Sequence, residues 1–524
     1  MTRDYERRWW ILAVLCLSLV LISVSNTSLN VGLPSLARDL HASASQLQWI
    51  VDSYSLVFAG LLLTAGSLGD RYGRKGALNV GLVIFGLASG AAAISTSAGQ
   101  LVIARGVMGV GAALVMPATL SVLAQVFPER ERPRAIAIWA GFAGAGGAGG
   151  SVLSGWLLIH FWWGSIFLTN IAVALVALAA GAWLIPRAGD HEQAPLDPAG
   201  AVLSIAALGA LIYAIIEAPA RGWAAPMTAT WLGIAAAFLA AFVWWERRCK
   251  NPMLDMALFN NPMFTAATTT LTFIFFTMYG MVFLMTQYLQ LVLGLSPLEA
   301  GLRILPIPIV FMATAPLSAG MVERWGQRRV VGVGLVILAT GMAIISRAGV
   351  RADYTLVTLG LAMSALGMGV TMAPSTGAIM RSLPLGKAGV GSAVNDATRE
   401  LGGALGVAVL GSILASQFRR NLLPAIHGLP SLGRAGTANL GAALGSASSL
   451  PAGSASVFAT SARGAFVDAL HITMLVAVGV ALVAAGFVTT LLRQPVVWEV
   501  PSVIEPAGEA PSARPRAAPG TDAA

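Results

Sequence analysis

The stretch "GDRYGRK", Gly69–Lys75, returns as "VERWGQR", Val322–Arg328. An acid, an Arg, an aromatic residue, a Gly and a final basic residue fall in the same register, 253 residues apart. Each copy is short, basic and flanked on both sides by long apolar runs. Two copies of one loop imply two related halves. Six crossings per half account for only part of the separation, so the apolar runs at 200–218 and 229–245 read as an insertion between the halves.

The composition fits that reading. Of 524 residues, 56% are hydrophobic and only 10% charged, with a mean hydropathy of +0.77. Soluble domains carry about 25% charged residues, so the chain reads as an all-α polytopic membrane protein. Hydrocarbon about 30 Å thick needs about 20 apolar residues per helical crossing, and fourteen such runs lie between 10–33 and 470–492. The N-terminal "MTRDYERRWWILAVLCLSLVLI" lacks a small-residue cleavage site and is taken as an uncleaved first span. Two cysteines, Cys16 and Cys249, are too few and badly placed for a disulfide framework. The net charge of +9 is spread over short loops rather than clustered, which argues for topology and against nucleic acid.

Orientation follows from the basic residues. With the N-terminus inside, the N-terminal segment and the internal loops hold 18 Lys and Arg, against 8 in the external loops. The expectation is N-in and C-in. The chain then divides into a six-helix bundle at 1–199, two inserted helices at 200–250, and a second six-helix bundle at 251–493 with an external loop at 419–469. A Pro/Ala-rich cytoplasmic tail, expected to be disordered, occupies 494–524. Within the external loop, "NLGAALGSASSL" has the makings of a short surface helix.

Several motifs resemble those of the major facilitator superfamily, in particular its fourteen-span drug:proton antiporter branch (the multidrug and quaternary ammonium efflux type). "GSLGDRYGRKG" is similar to the family's loop between spans 2 and 3. "RGVMGVGAALVMPATL", from Arg105, resembles the span 4 motif. "GFAGAGGAGGSVLSG", from Gly141, resembles the Gly-rich span 5 antiporter motif, with Ser151 where Pro is usual. "QLQWIVDSYSLVFAGLLL" and "GSAVNDATRELGGALGVAVLGS" look like the branch's spans 2 and 13, and the resemblance covers about residues 8–493. It implies the major facilitator fold and export of small lipophilic or cationic compounds (drugs, antibiotics, dyes) across the bacterial cytoplasmic membrane. The drive implied is a proton gradient, with no cofactor or metal, and the chain is expected to act as a monomer.

The residues themselves supply candidate roles. In the loop, Gly69 and Gly73 permit a tight turn, and Asp70 can accept charge-assisted hydrogen bonds from Arg71, Arg74 or a neighbouring helix end. Making and breaking such a network gives two discrete conformations, so these five residues form a candidate latch. Arg105 lies about one turn inside span 4, where burying its charge costs roughly 2.5–3.5 kcal/mol. Snorkelling outward would explain it, as would biasing a nearby carboxylate. Burial favours a neutral acid and a nearby Arg favours the carboxylate, so an enclosed acid can take up or release a proton as its surroundings change. Asp396 and Glu400 are four apart and share a face of span 13, although a charged first turn would also account for them. Asp52 is the candidate on the external side. Glu246 groups with Arg247 and Arg248 as an interfacial cluster, and "SPLE" at Ser296–Glu299 reads as a capping box.

Cavity candidates come from two spans. Span 9 supplies Tyr279, Gln287 and Gln290 among aromatic and Met residues, which adapt to varied lipophilic ligands. In span 1, "VSNTSLNVGLP" (Val24–Pro34) crowds Ser25, Asn26, Thr27, Ser28 and Asn30 into six positions, and Ser23, Asn26, Thr27 and Asn30 share one stripe. The stripe suits a cavity wall or helix–helix hydrogen bonding. The resemblance places Ser25 where the branch usually carries Asp, which would move proton handling to Asp52, Asp396 and Glu400. No nucleophile–base pair, metal-ligand spacing or Walker-type phosphate loop points to an enzyme. Export of an endogenous metabolite or lipid, or a transporter-like sensor that moves nothing, are the alternatives.

Overall fold

Apolar segments in hydrocarbon have no water to satisfy their amides, so each run must close its hydrogen bonds within a helix. The computed structural model describes residues 2–40, 42, 44–186, 197–350, 354–383, 387–426, 439–447 and 450–492, and no strand occurs among them. The first helices are α1 (Thr2–Asp39), α2 (Ala44–Tyr72), α3 (Arg74–Ala93), α4 (Ala98–Val126), α5 (Arg132–His160) and α6 (Ser165–Leu184). Then come α7 (Pro198–Arg221) and α8 (Pro226–Glu246). The remainder are α9 (Pro262–Gln287), α10 (Pro297–Ile304), α11 (Pro306–Trp325), α12 (Gln327–Ile345), α13 (Tyr354–Arg381), α14 (Ala388–Ile426), α15 (Leu440–Ala447) and α16 (Ala452–Leu491). Thirteen stretches among the described residues are long and apolar enough to cross a membrane. The 29-residue α5 adds a further helix of about 43 Å at 1.5 Å per residue. One of the thirteen, Leu298–Trp325, runs through both α10 and α11, which part just before Pro306.

The ends of these helices follow local chemistry. Ser97 accepts from the Gln100 amide at α4, and Asn261 from Met263 at α9. Ser296 and Glu299 close the reciprocal capping box at the start of α10. The two copies of the opening motif make the same turn. Gly73 between α2 and α3 has φ 98°, and Gly326 between α11 and α12 has φ 79°, a backbone region that a side chain disfavours.

The repeat extends to packing. α3 meets α4 through Gly81 and Gly111, and α12 meets α13 through Gly334 and Gly367. α1 meets α5 through Gly146 and Gly150, and α9 meets α14 through Gly402 and Gly406. In each pair, small residues let backbones approach closely, the means by which helices adhere in lipid. α7 and α8 have no counterpart in this scheme. They pack on each other, and α7 also touches α2 and α14.

The segment expected as an external loop is partly helical. α14 continues to Ile426 and α16 begins at Ala452. The Phe418 and Phe466 rings meet 6.4 Å apart, and Asn421 donates to the Ala465 carbonyl, so the two extensions hold each other. The short helix expected there is α15, whose Leu440, Ala443 and Ala447 are buried. Residues 427–438, 448–449 and the tail 494–524 lie outside the described residues.

A Cβ on Gly150 would meet the Val24 carbonyl at 2.8 Å and collide with Thr27, whereas one on Gly149 would meet nothing within 4 Å. Gly150→Ala is therefore expected to destabilise by about 1–3 kcal/mol and Gly149→Ala to be near neutral. Thermal unfolding of the purified variants checks the contrast.

Candidate functional site

Two constellations stand out, one at the C-terminal end of α2 and one in the middle of the bundle. At the first, Asp70 accepts from two backbone amides of α14, Gly389 at 2.9 Å and Val390 at 3.1 Å. The first amides of a helix lack internal partners and carry its positive dipole end, so a carboxylate is well placed there. Arg74 reaches back to Asp70 at 3.1 Å and on to Gln125 at 3.3 Å. Lys75 caps the end of α6 through the Ala182 and Ile185 carbonyls, and Arg71 lies over the Tyr72 ring. Backbone contact accompanies the hydrogen bonds: a Cβ on Gly66 would fall 2.7 Å from the Ala393 Cβ. Of the candidate latch residues, Asp70 and Arg74 meet at the junction between α2 and α14, while Gly73 makes the turn into α3 and Arg71 lies against Tyr72.

In the middle, Arg105 is fully buried on α4. Its Nε donates to the Ile50 carbonyl at 3.2 Å and its Nη2 to Asn26 Oδ1 at 3.5 Å, while the guanidinium sits 4.4 Å from the Tyr54 ring centre. It is held by the protein rather than snorkelling. Across from it, α14 carries Asn395, Asp396, Arg399 and Glu400. Thr376 on α13 donates to Asn395 at 2.9 Å, Asn395 donates to Asp396 Oδ1 at 3.1 Å, and Arg399 reaches the same oxygen at 3.4 Å. The Arg399 guanidinium also faces Phe275 of α9 at 4.7 Å and Trp139 of α5 at 5.6 Å. Trp139 in turn donates to Thr119. Tyr54 lies within electrostatic reach of Glu400 and Tyr279, which joins the two groups into one cluster.

This cluster has unspent hydrogen-bonding capacity. Arg105 Nη1, Tyr54 Oη and Asp396 Oδ2 are buried, and none has a protein partner. Such atoms are costly unless water, a proton or a ligand satisfies them. Asp396 lies eight residues into α14, about 12 Å from its start, and Glu400 one turn further. They do not form a charged first turn.

The remaining candidates are dispersed. Tyr279 keeps 37% of its surface accessible, and its ring lies against Gly403. Gln287 and Gln290 are half-buried at the far end of α9, where the backbone widens into a π-turn at Tyr288–Val292. Asp52 is half-buried on α2. Ser25 is enclosed, accepting from Asn170 of α6 at 3.2 Å, so it faces that helix. Ser28 donates to the Gly150 carbonyl, and the Asn30 side chain lies outside the described residues. Sequence reading passed over Tyr54, Trp139, Phe275, Asn395 and Thr376. Only the adjacency of Asn395 to Asp396 could have flagged one of them.

The profile of the Major Facilitator Superfamily matches residues 15–407. The "Multidrug efflux pump LfrA" of Mycolicibacterium smegmatis is 37% identical, the alignment covering 94% of this chain and 98% of that protein. The "Tetracenomycin C resistance and export protein" of Streptomyces glaucescens is 32% identical over 92% and 91%. Among solved structures, the proton:xylose symporter XylE superposes with a TM-score of 0.60 at 15% identity, covering 92% of this chain and 95% of that one, a likeness of fold alone.

The Asp70 clasp gives a direct expectation. Asp70→Asn removes the charge from two hydrogen bonds, worth about 1.4 kcal/mol. Amide hydrogen exchange at Gly389 and Val390 is then expected to quicken about tenfold.

Proposed function

Because the chain belongs to the Major Facilitator Superfamily, we propose that it is a proton-coupled antiporter exporting small lipophilic or cationic compounds by alternating access. It is a multi-pass protein of the bacterial cytoplasmic membrane, and a transporter rather than an enzyme. The proposal includes fourteen crossings with both termini inside, two six-helix bundles with α7 and α8 inserted between them, and action as a monomer. Its relatives' names, a multidrug efflux pump and an antibiotic resistance and export protein, support drug-like cargo.

The observation that carries the coupling is the placement of Asp396 and Glu400. Both lie in the bundle beside Arg399, and Glu400 lies within reach of Tyr54 on α2, whose ring meets Arg105 of α4. A proton on either acid loosens its hold on Arg399, and loss of that proton restores it. In the proposed cycle, protons enter from the outside when the cluster opens that way. Cargo displaces them when it opens inward. Arg105 holds α2 and α4 in register around the cluster and keeps Nη1 available. The Asp70 clasp keeps the inner end shut in the conformation seen, and its release would open the cluster to the cytoplasm.

Cells producing the protein are expected to extrude ethidium when energised and to retain it when an uncoupler collapses the proton gradient. Extrusion indifferent to the gradient would refute antiport. If no tested cation is extruded while the protein is present and folded, the cargo is an endogenous metabolite or lipid instead. Asp396→Asn and Glu400→Gln, tested separately in vesicles under an imposed pH gradient, are expected to slow gradient-driven uptake at least about tenfold, the scale of one lost charge-assisted contact. Wild-type rates in both would remove these residues from the coupling.

A further inference from the structure

A second pair of enclosed acids lies outside the central cluster, at the end of the molecule that carries the Asp70 clasp. Asp197 caps α7 by accepting from the Gly200 amide at 2.8 Å, and it also accepts from Trp245 Nε1 at 2.9 Å. Glu246, the last residue of α8, is only 3% exposed, while its neighbours Arg247 and Arg248 face outward. One Glu246 oxygen accepts from the Leu254 amide at 3.1 Å. The other, Oε1, is buried with no partner.

These two carboxylates converge. A Cβ built on Gly200 would touch Asp197 Oδ2 and lie 2.6 Å from Glu246 Oε1, and two atoms so close to one point are within about 5 Å of each other. Glycine is required at 200 because the carboxylates occupy the space. Like charges this close, in an enclosed site, are not both ionised without help. The cation within electrostatic reach of Glu246 is Lys387. Lys387 donates to the Pro252 carbonyl at 3.4 Å and immediately precedes α14, two residues before the Gly389 amide held by Asp70. The adjoining segments also carry charges: Lys250 and Asp255 on the α8–α9 connection, and Asp70, Arg71 and Arg74 at the end of α2, which packs on α7. Asp255 is committed to the Ala257 amide, and Arg74 to Asp70.

We propose that Glu246, facing the Asp197 carboxylate, is a proton-binding group separate from the central acids, whose charge state sets the hold on Lys387 and thereby on the clasped start of α14. With a proton on Glu246, its Oε1 no longer opposes the Asp197 carboxylate, and the pull on Lys387 is that of a single negative charge. Release of the proton doubles that charge and tightens Lys387, together with the first turn of α14, against α7 and α8. The inserted helices then stabilise the clasped conformation as pH rises. None of this depends on what the protein moves.

The test uses full-length protein in nanodiscs carrying Asp396→Asn and Glu400→Gln, which silences the central acids. Infrared difference spectra between acid and alkaline pH are expected to show a protonated carboxyl band that Glu246→Gln removes. Spin labels placed at Tyr72 and Trp325, in a chain with Cys16 and Cys249 replaced by Ser, report separation of the inner ends. The ratio of clasped to open forms is expected to rise about tenfold from pH 5.5 to pH 8, as for release of one proton, and to become pH-independent in Glu246→Gln. Gln keeps an oxygen for the Leu254 amide. If that variant fails to fold, Asp197→Asn serves: Asn still caps a helix, and removal of the opposed charge is expected to move the response to lower pH. A background without pH response, an unchanged carboxyl band, or a response that neither substitution alters would each overturn the proposal.

Discussion

The clasp between Asp70 and the start of α14 is the contact on which the rest of the arrangement depends. A carboxylate from α2 supplies the acceptors that α14 cannot supply for its own first amides, 319 and 320 residues away in the chain. α14 is a continuous rod of 39 residues. The position of its first turn therefore fixes the height of Asp396, Arg399 and Glu400, two and three turns further along. Clasp and central acids share one rigid element, so a change at either end is felt at the other without a chain of intermediate contacts. Gly66 and Gly389 make the same point sterically, because their backbones touch where any side chain would hold α2 and α14 apart.

Much of this was legible in the sequence. The repeated loop announced two related halves, and the structure extends the repeat to matching turns at Gly73 and Gly326 and to matching helix pairs. The capping box at Ser296 was readable because it is local. What the sequence could not show is which copy of the loop makes contact. Asp70 is clasped, whereas Glu323, its counterpart, is exposed. That difference arises from tertiary placement, which no pattern of residues within seven positions encodes.

The polar stretch in α1 and the charged end of α8 illustrate the same limit. Ser25, Asn26 and Ser28 are near neighbours, yet they serve α6, Arg105 and α5 respectively. Helical rotation sends adjacent residues to different partners. Glu246 reads as part of an interfacial cluster because two arginines follow it. Rotation along the chain turns it inward and leaves them outside, and the Leu254 amide that fixes it belongs to a later segment. Helical periodicity gives a residue's face, but the identity of what lies against that face comes from packing.

The central cluster also bears on cargo. Arg105 and Arg399 balance Asp396 and Glu400, so these four side chains sum to zero when all are ionised. With Ser25 neutral and turned toward α6, the first span adds no negative charge. The rings of Tyr54 and Phe275 already face the protein's own guanidinium groups at 4.4 and 4.7 Å. A cationic cargo would have to compete with those arginines for the same aromatic faces. Taking up one proton shifts the cluster by a full positive charge in surroundings that screen it weakly. Protons and a cationic cargo would then exclude each other through charge alone, without occupying the same atoms. A neutral lipophilic cargo would feel no such exclusion, and coupling for it would have to run through α14 and its clasp. Under the proposed antiport, the charge balance would tie the mechanism of exchange to the kind of molecule exchanged.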